Sequence, residues 1–538
     1  MSVSQKSLPW GTWSLGLTSM AGAALACASA TRSVMAAGVL AAYVAGSLAI
    51  VRAHRLRAKR TAFDDVASRA DATLVAYASQ TGFAEMLAVK TASALQDAGE
   101  PVRLLSFDAL RAEYLANAQQ ALFIVSTTGE GDAPDSASSF TRKVMRDSLS
   151  LTHLSYGVLA LGDRSYASFC GFGHRLGHWL DACGAQARFD ILEVDNGDAG
   201  AIRHWQNQLS SIARGAQMAD WEPPRYTNWC LHARDLLNPG SAGAPAFHLT
   251  LTPDATSSPL WDAGDIAEIG PRHAPDVVSQ WLAATTFDAD ATVQCDGAVM
   301  PLAQALASRM LPAQAEVSGE SNPQTLVDAL APLPHREYSI ASLPADGGIE
   351  LLVRQTQYAD AAQTGEIRLG LASGWLTLHA PIGGAIALRI RPNRAFHVPG
   401  DDVPLILIGN GTGFAGLRAH LKSRATRGAH RNWLLFGERS VSHDAFFADE
   451  IAQWQRDGVL TRADFAWSRD GGDIRYVQDA VRAASAGIRE WVDAGAAIYV
   501  CGSLQGMAPA VHEALAAALG AEALNGLVDS GRYRRDVY

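Results

Sequence analysis

"LVAYASQTGFAE", Leu74 to Glu85, breaks off a strand-forming run at Ser-Gln-Thr-Gly and continues at once as a helix former. A strand that runs through a short turn into a helix is the unit of an open parallel sheet, and ligands of such sheets lie beyond the carboxyl ends of the strands. The turn sets the hydroxyls of Ser79 and Thr81, with the backbone N–H groups of Gln80, Thr81, Gly82 and Ala84, at a helix N-terminus, where an anion is favoured. A phosphate fits there, although Ser and Thr before a helix also serve as plain N-caps.

Working outward, "ALFIVST" at Ala121, "YGVLALG" at Tyr156 and "ARFDILEV" at Ala187 alternate with amphipathic stretches. The pattern predicts an α/β doubly wound sheet. "STTGEGDAPDSA", Ser126 to Ala137, follows one strand and offers Thr127, Thr128, Gly129 and Gly131, where a backbone can pass close to a flat ligand. "LGDRSYASFCGFG", Leu161 to Gly173, follows the next and supplies Leu161, Gly162, Asp163, Tyr166, Phe169 and Cys170, with Tyr166 as a stacking ring. One anion loop and two loops shaped for an aromatic ring make a mononucleotide site, beside which Asp195 in "EVDNGD" is placed. Glu130, Asp132 and Asp135 read equally as an ordinary polar loop and as a docking site for a basic partner.

Residues 217–245, with "WEPPRY" and "NPGSAGAP", read as a Pro/Gly-rich linker. From 246 to 400, short strands and Gly-rich turns suit an antiparallel barrel. From 401 to 538 the alternating pattern returns with "VPLILIGNG", "NWLLFGE", "ADFAWSR" and "AAIYVCGS". A chain of 538 residues divides naturally into such units. Its net charge of −10 argues against a nucleic-acid partner, and its six cysteines form no CxxC pair that would suggest zinc or a disulfide framework.

The N-terminus is different. Ser33 to Val51 is uncharged and mostly apolar, long enough to cross a bilayer, and the basic block Arg52 to Arg60 after it is of the kind that stays cytoplasmic. Leu8 to Ala30 is a second apolar stretch, so residues 1–60 are expected to form a membrane anchor of one helix or a hairpin. The remainder, with a flavodoxin-like domain over 70–216, is then expected at the cell membrane on its cytoplasmic side. A signal peptide fits poorly, because the strongly basic segment lies on its C-terminal flank.

Residues 73–538 resemble the diflavin reductases, a family that includes the sulfite reductase flavoproteins and the NADPH-hemoprotein reductases. The likeness rests on "SQTGFAE", "STTGEGD", "LGDRSY", "REYSIAS" at Arg336, "GLASGWL" at Gly370, "LILIGNGTGFAGLRA" at Leu405, "FAWSRD", "RYVQD", "IYVCGSLQGMA" and the terminal "RYRRDVY", all in family order. The resemblance implies FMN on the first domain, FAD on a ferredoxin-reductase-like barrel and NADPH on the last domain. It assigns Arg336, Tyr338, Ser339, Gly370 and Ser373 to FAD, and Gly411, Thr412, Ser468, Arg469, Arg475, Tyr476 and Gln478 to NADPH. It makes Ser339, Cys501 and Asp536 the hydride-transfer set, with Tyr538 covering the FAD ring. No metal is implied.

Asp163, Cys170 and the terminal Tyr538 resemble the sulfite reductase type, while the anchor resembles the microsomal hemoprotein reductases. The implied partner is a redox acceptor carrying haem or iron–sulfur. A ferric-chelate, quinone or free-flavin reductase is the alternative, and a non-catalytic flavin sensor a remote one. Several residues depart from the family pattern. Thr128 stands in place of an aromatic, Phe83 replaces a small hydroxyl residue in the phosphate loop, Gly416 replaces a proline, and Ile474 replaces a lysine beside Arg475.

Overall fold

Leu74, Val75, Ala76 and Ala78 are buried on both faces of strand β1 (Thr73–Ala78), as a central strand of a parallel sheet requires. The computed structural model describes residues 72–147, 149–213, 221, 225–253, 259–312, 322–359 and 367–538. Both apolar N-terminal stretches and the basic block lie outside them. Among the described residues no helix is long and apolar enough to cross a membrane.

β1 is joined by β2 (Val102–Ser106), β3 (Gln120–Ser126), β4 (Ser155–Gly162), β5 (Gln186–Ala187) and β6 (Leu192–Asp195), with every pairing parallel. The order is β2-β1-β3-β4, and both β5 and β6 pair with β4. Helices Phe83–Asp97 and Gly171–Ala182 follow β1 and β4, and edge-to-face contacts of Phe107 with Phe123, Phe140 and Phe172 fill one face of the sheet.

The middle of the chain is antiparallel. Among the described residues its strands are β7 (Thr227–Leu236), β8 (Ala246–Thr252), β9 (Ile266–Gly270), β10 (Thr292–Cys295), β11 (Ala298–Pro301), β12 (Arg336–Ser339), β13 (Ile349–Arg354), β14 (Gln357–Ala359), β15 (Ile367–Leu369) and β16 (Ala385–Arg391). Six of them form one sheet in the order β12-β9-β16-β7-β8-β13. Trp229, Leu249, Ile269, Leu351 and Ile386 lie in its core. Between β9 and β12, short helices and the β10–β11 hairpin build a separate apolar cluster around Trp281, Leu302 and Leu326. The expected linker over 217–245 needs correction, because β7 is hydrogen-bonded between β8 and β16. Its alternating apolar residues Trp229 and Leu231 face the core, a period-2 signal that the neighbouring Pro and Gly residues obscure.

A second parallel sheet completes the chain with β17 (Leu405–Asn410), β18 (Asn432–Glu438), β19 (Leu460–Trp467), β20 (Ala497–Gly502) and β21 (Tyr533–Val537), in the order β19-β18-β17-β20-β21. The turn after β17 presses on β20 so closely that a Cβ at Gly413 would collide with the Cys501 carbonyl. Only glycine fits that approach.

Candidate functional site

Three loops gather at the carboxyl end of the first sheet. In the loop after β1, Ser79 Oγ accepts from Gly82 N at 2.9 Å, and Gly82 (φ +89°) takes the left-handed conformation that opens helix Phe83–Asp97. The backbone N–H groups of Gln80, Thr81, Phe83 and Ala84 find no acceptor among the described residues. Four unsatisfied donors at the start of a helix are suited to a phosphate. In the loop after β3, Thr128 and Asp132 exchange backbone hydrogen bonds (2.9 and 2.7 Å), which closes a tight hairpin over Gly129 and Gly131. Thr127 Oγ1 accepts from Phe172 N at 3.3 Å, tying that hairpin to the following loop.

In the loop after β4, burial opposes ionisation of Asp163. Hydrogen bonds from the Ser165 hydroxyl (2.6 Å) and N–H (2.8 Å) outweigh it and hold the carboxyl below its ordinary range. Tyr166 is exposed beside it, available to a planar ring, while Leu161 is buried in the strand end and Gly162 O accepts from Asn196 N at 3.0 Å. Asp195 Oδ1 accepts from Arg164 N at 3.1 Å, which places Asp195 at the same sheet end. Arg164 lies over the Phe169 ring at 4.5 Å.

Cys170 is a correction. It is fully buried, donates to the Ala160 carbonyl at 3.3 Å, and burial pushes its thiol up to about 12. A left-handed turn at Cys170 (φ 54°) rotates it into the core, so it shapes the loop and is not presented to a ligand.

On the antiparallel sheet, Arg336 is exposed, donates to the carbonyls of Pro334 and His335 and makes no close ion pair among the described residues, although its charge helps to lower the Asp163 carboxyl. Tyr338, half-buried on the same edge strand, packs against the barrel core. Ser373 is buried and accepts from Thr356 N at 3.1 Å, while Gly370 N donates to Thr356 O at 2.9 Å. These contacts fix the turn opening helix Leu371–Gly374.

Where β12 meets β20 and β21, three side chains converge in a dry site. Ser339 Oγ donates to Asp536 Oδ2 at 2.7 Å, and Cys501 Sγ lies 3.8 Å from the same oxygen. Cys501 and Asp536 are register partners on neighbouring strands. Burial raises the Asp536 carboxyl to about 6, against the Ser339 hydrogen bond, which lowers it. Burial, and then the Asp536 charge, raise the Cys501 thiol well above its ordinary value, so it stays protonated. Tyr538 is held by Tyr538 N donating to Gly502 O (3.1 Å) and Leu504 N donating to Tyr538 O (3.0 Å). Its ring is half exposed, but its phenol end turns inward toward Thr412, Ser339 and Cys501.

From Tyr538 a cleft of about 640 Å³ runs past Gly411, Thr412, Ser468, Arg475, Tyr476 and Gln478. Arg469 is exposed outside the lining, its N–H bonded to the Arg439 carbonyl at 2.8 Å. Arg354, Arg439 and Asn410 line the cleft and were not anticipated. Arg439 follows the carboxyl end of β18, so the rule that exposed the other loops would have found it. Arg354 comes from β13 of the antiparallel sheet and pairs with Glu438, a contact no local pattern announces.

Residues 75–205 match the flavodoxin family model and residues 407–513 the oxidoreductase NAD-binding domain. The sulfite reductase [NADPH] flavoprotein alpha-component of Vibrio cholerae is 29% identical over 86% of this chain and 87% of its own length. Those of Mannheimia succiniciproducens (28%, 86% and 89%) and Neisseria meningitidis serogroup C (29%, 86% and 88%) align similarly. The chain is similar to these sulfite reductase flavoproteins over most of its length. Its cofactors are FMN, FAD and NADPH, and the residues fit them. The free N–H nest after β1 suits the FMN phosphate, the exposed Arg336 suits the FAD pyrophosphate, and the basic cleft suits NADPH.

Proposed function

We propose that the chain is an NADPH-dependent diflavin reductase that delivers electrons to a one-electron acceptor, tethered to the cytoplasmic face of a membrane by residues 1–60. The observation that carries this reading is the buried Ser339–Asp536–Cys501 group, assembled from two domains at the mouth of the basic cleft. The two flavins, when bound, supply the conversion of a two-electron hydride into single electrons.

The protein's own groups position that chemistry. Arg475 and Arg439 are suited to hold the 2′-phosphate of NADPH at the far end of the cleft, and Ser468 and Tyr476 to flank its adenosine. The ionised Asp536 carboxylate stabilises positive charge that grows on a nicotinamide ring, and the Ser339 hydroxyl orients that carboxylate. The Cys501 S–H remains a neutral donor toward Asp536. Tyr538 screens the buried group from water at the cleft mouth until a nucleotide displaces it.

The flavodoxin domain is seated on this machinery. Arg535 Nε reaches both Asp135 oxygens at 3.0 Å, Arg142 pairs with Asp529 at 2.7 Å, and Gln80 Nε2 donates to the Arg535 carbonyl at 2.6 Å. Asp135, one of the acidic loop residues, thus serves an internal contact. The likeness to sulfite reductase flavoproteins supports a haem- or iron–sulfur-bearing acceptor of that kind. Purified full-length protein should release FMN and FAD in equal amounts and reduce ferricyanide with NADPH. Release of one flavin only after reconstitution with both would refute the two-flavin reading. Recovery of the protein in the soluble cell fraction would refute the tether.

A further inference from the structure

Glu268, His335 and Glu337 lie close enough to share a cation, and the structure shows which cation they have. Arg389 pairs with Glu268, and Arg391 reaches Glu268 Oε1 through Nε at 2.5 Å and Glu337 through Nη2. Two carboxylates therefore face two guanidiniums, and a metal has no negative charge left to attract it. Arg391 is only 2% exposed, and its Nη1 has no hydrogen-bond partner. A buried, charged N–H group without an acceptor marks a place where an acceptor is expected.

That nitrogen points out of its own domain. A Cβ placed on Gly82, in the N–H nest after β1, would lie 3.4 Å from Arg391 Nη1 and would collide with the Pro392 carbonyl. Around the same helix start, Arg394 pairs with Glu85 at 2.9 Å and Arg389 Nη1 approaches Met86 Sδ at 3.9 Å. Three arginines from β16 and the segment after it thus converge on one helix N-terminus.

We propose that Arg391, a residue of the antiparallel FAD-binding domain, is a binding residue for the FMN phosphate, so that the FMN site is completed across the domain boundary. The inference rests on the assignment of FMN to the first domain. The phosphate dianion is the acceptor that Nη1 lacks. FMN retention then depends on the docking of the two domains. Riboflavin, which lacks the phosphate, gains nothing from Arg391.

The test uses the full chain, stripped of flavin and reloaded with FAD, titrated separately with FMN and with riboflavin. Arg391→Gln should weaken FMN binding about tenfold or more and leave riboflavin binding unchanged, with Arg391→Lys intermediate. An unchanged ratio of FMN to riboflavin affinity in Arg391→Gln overturns the proposal. Riboflavin binding doubles as the check on folding. Should Arg391→Gln bind neither flavin, the charge-balanced pair Arg391→Gln with Glu337→Gln is read by the same ratio. A wild-type chain that binds no FMN would instead overturn the cofactor assignment beneath the proposal.

Discussion

The buried group behind Tyr538 and the exposed loop along the cleft are built on opposite principles. In the first, Asp536 and Cys501 are buried, drawn from adjacent strands in fixed register, and bonded to a serine from another domain. In the second, Arg475 and Tyr476 are exposed on a loop. The buried group holds its side chains in place before any ligand arrives, at the cost of desolvating a carboxylate. The exposed loop leaves its charges in water and gains affinity only when a phosphate organises them. Reaction geometry is thus carried by the sheet, and recognition by its loops.

Asp536→Asn attacks the buried group and should have the largest effect. Hydride transfer, followed as flavin bleaching in stopped flow, is expected to fall on the order of a hundredfold or more with both flavins retained. The same residue sets a pH dependence. Its folded pKa is raised to about 6, so the carboxyl is neutral below that pH and ionised above it, and wild-type activity should rise through pH 6. A raised carboxyl pKa favours the folded state at low pH, and that contribution is lost as pH climbs through 6. Asp536→Asn should therefore remove the rise in activity and make the fold more resistant to urea at pH 8. A flat wild-type profile would show that the buried group is not tuned as described.

On the exposed loop, Arg475→Ala should raise the NADPH Michaelis constant about tenfold while leaving that for NADH unchanged. The corresponding loss in Arg469→Ala should be smaller, because Arg469 lies outside the cleft lining. The reverse ranking would mean that the loops close around the nucleotide. Between the two, Tyr538→Ala should improve NADH use several-fold relative to NADPH, since a cofactor without the 2′-phosphate has least binding energy to displace the ring. An unaltered preference would make Tyr538 a packing residue. The smallest effect is expected from Arg535→Gln, which loosens one partly exposed ion pair of the flavodoxin seam. It should slow cytochrome c reduction about twofold to threefold and leave ferricyanide reduction unchanged.

The sequence disclosed the parts of this molecule that obey a short period. β1, β3 and β4 are continuous apolar runs, and each loop after them carries its ligand-facing residues in order, so the flavodoxin domain and the Gly-rich turn after β17 could be read directly. Residues whose roles depend on a rotation or a distant partner could not. Cys170 belongs to a ligand loop in sequence, yet a left-handed φ turns it into the core. β7 was masked by flanking Pro and Gly. Arg354 pairs with the sequence-distant Glu438, and Arg391 lies beside the equally distant Gly82, placements that no local pattern encodes.

β21 places Arg535 and Asp536 side by side, and successive side chains of a strand leave by opposite faces. Arg535 therefore pairs with Asp135 of the flavodoxin domain while Asp536 accepts from Ser339 in the buried group, and Tyr538 lies on the cleft. A slip of β21 by one residue would exchange the two faces, taking Asp536 from Ser339 and Arg535 from Asp135 in a single step.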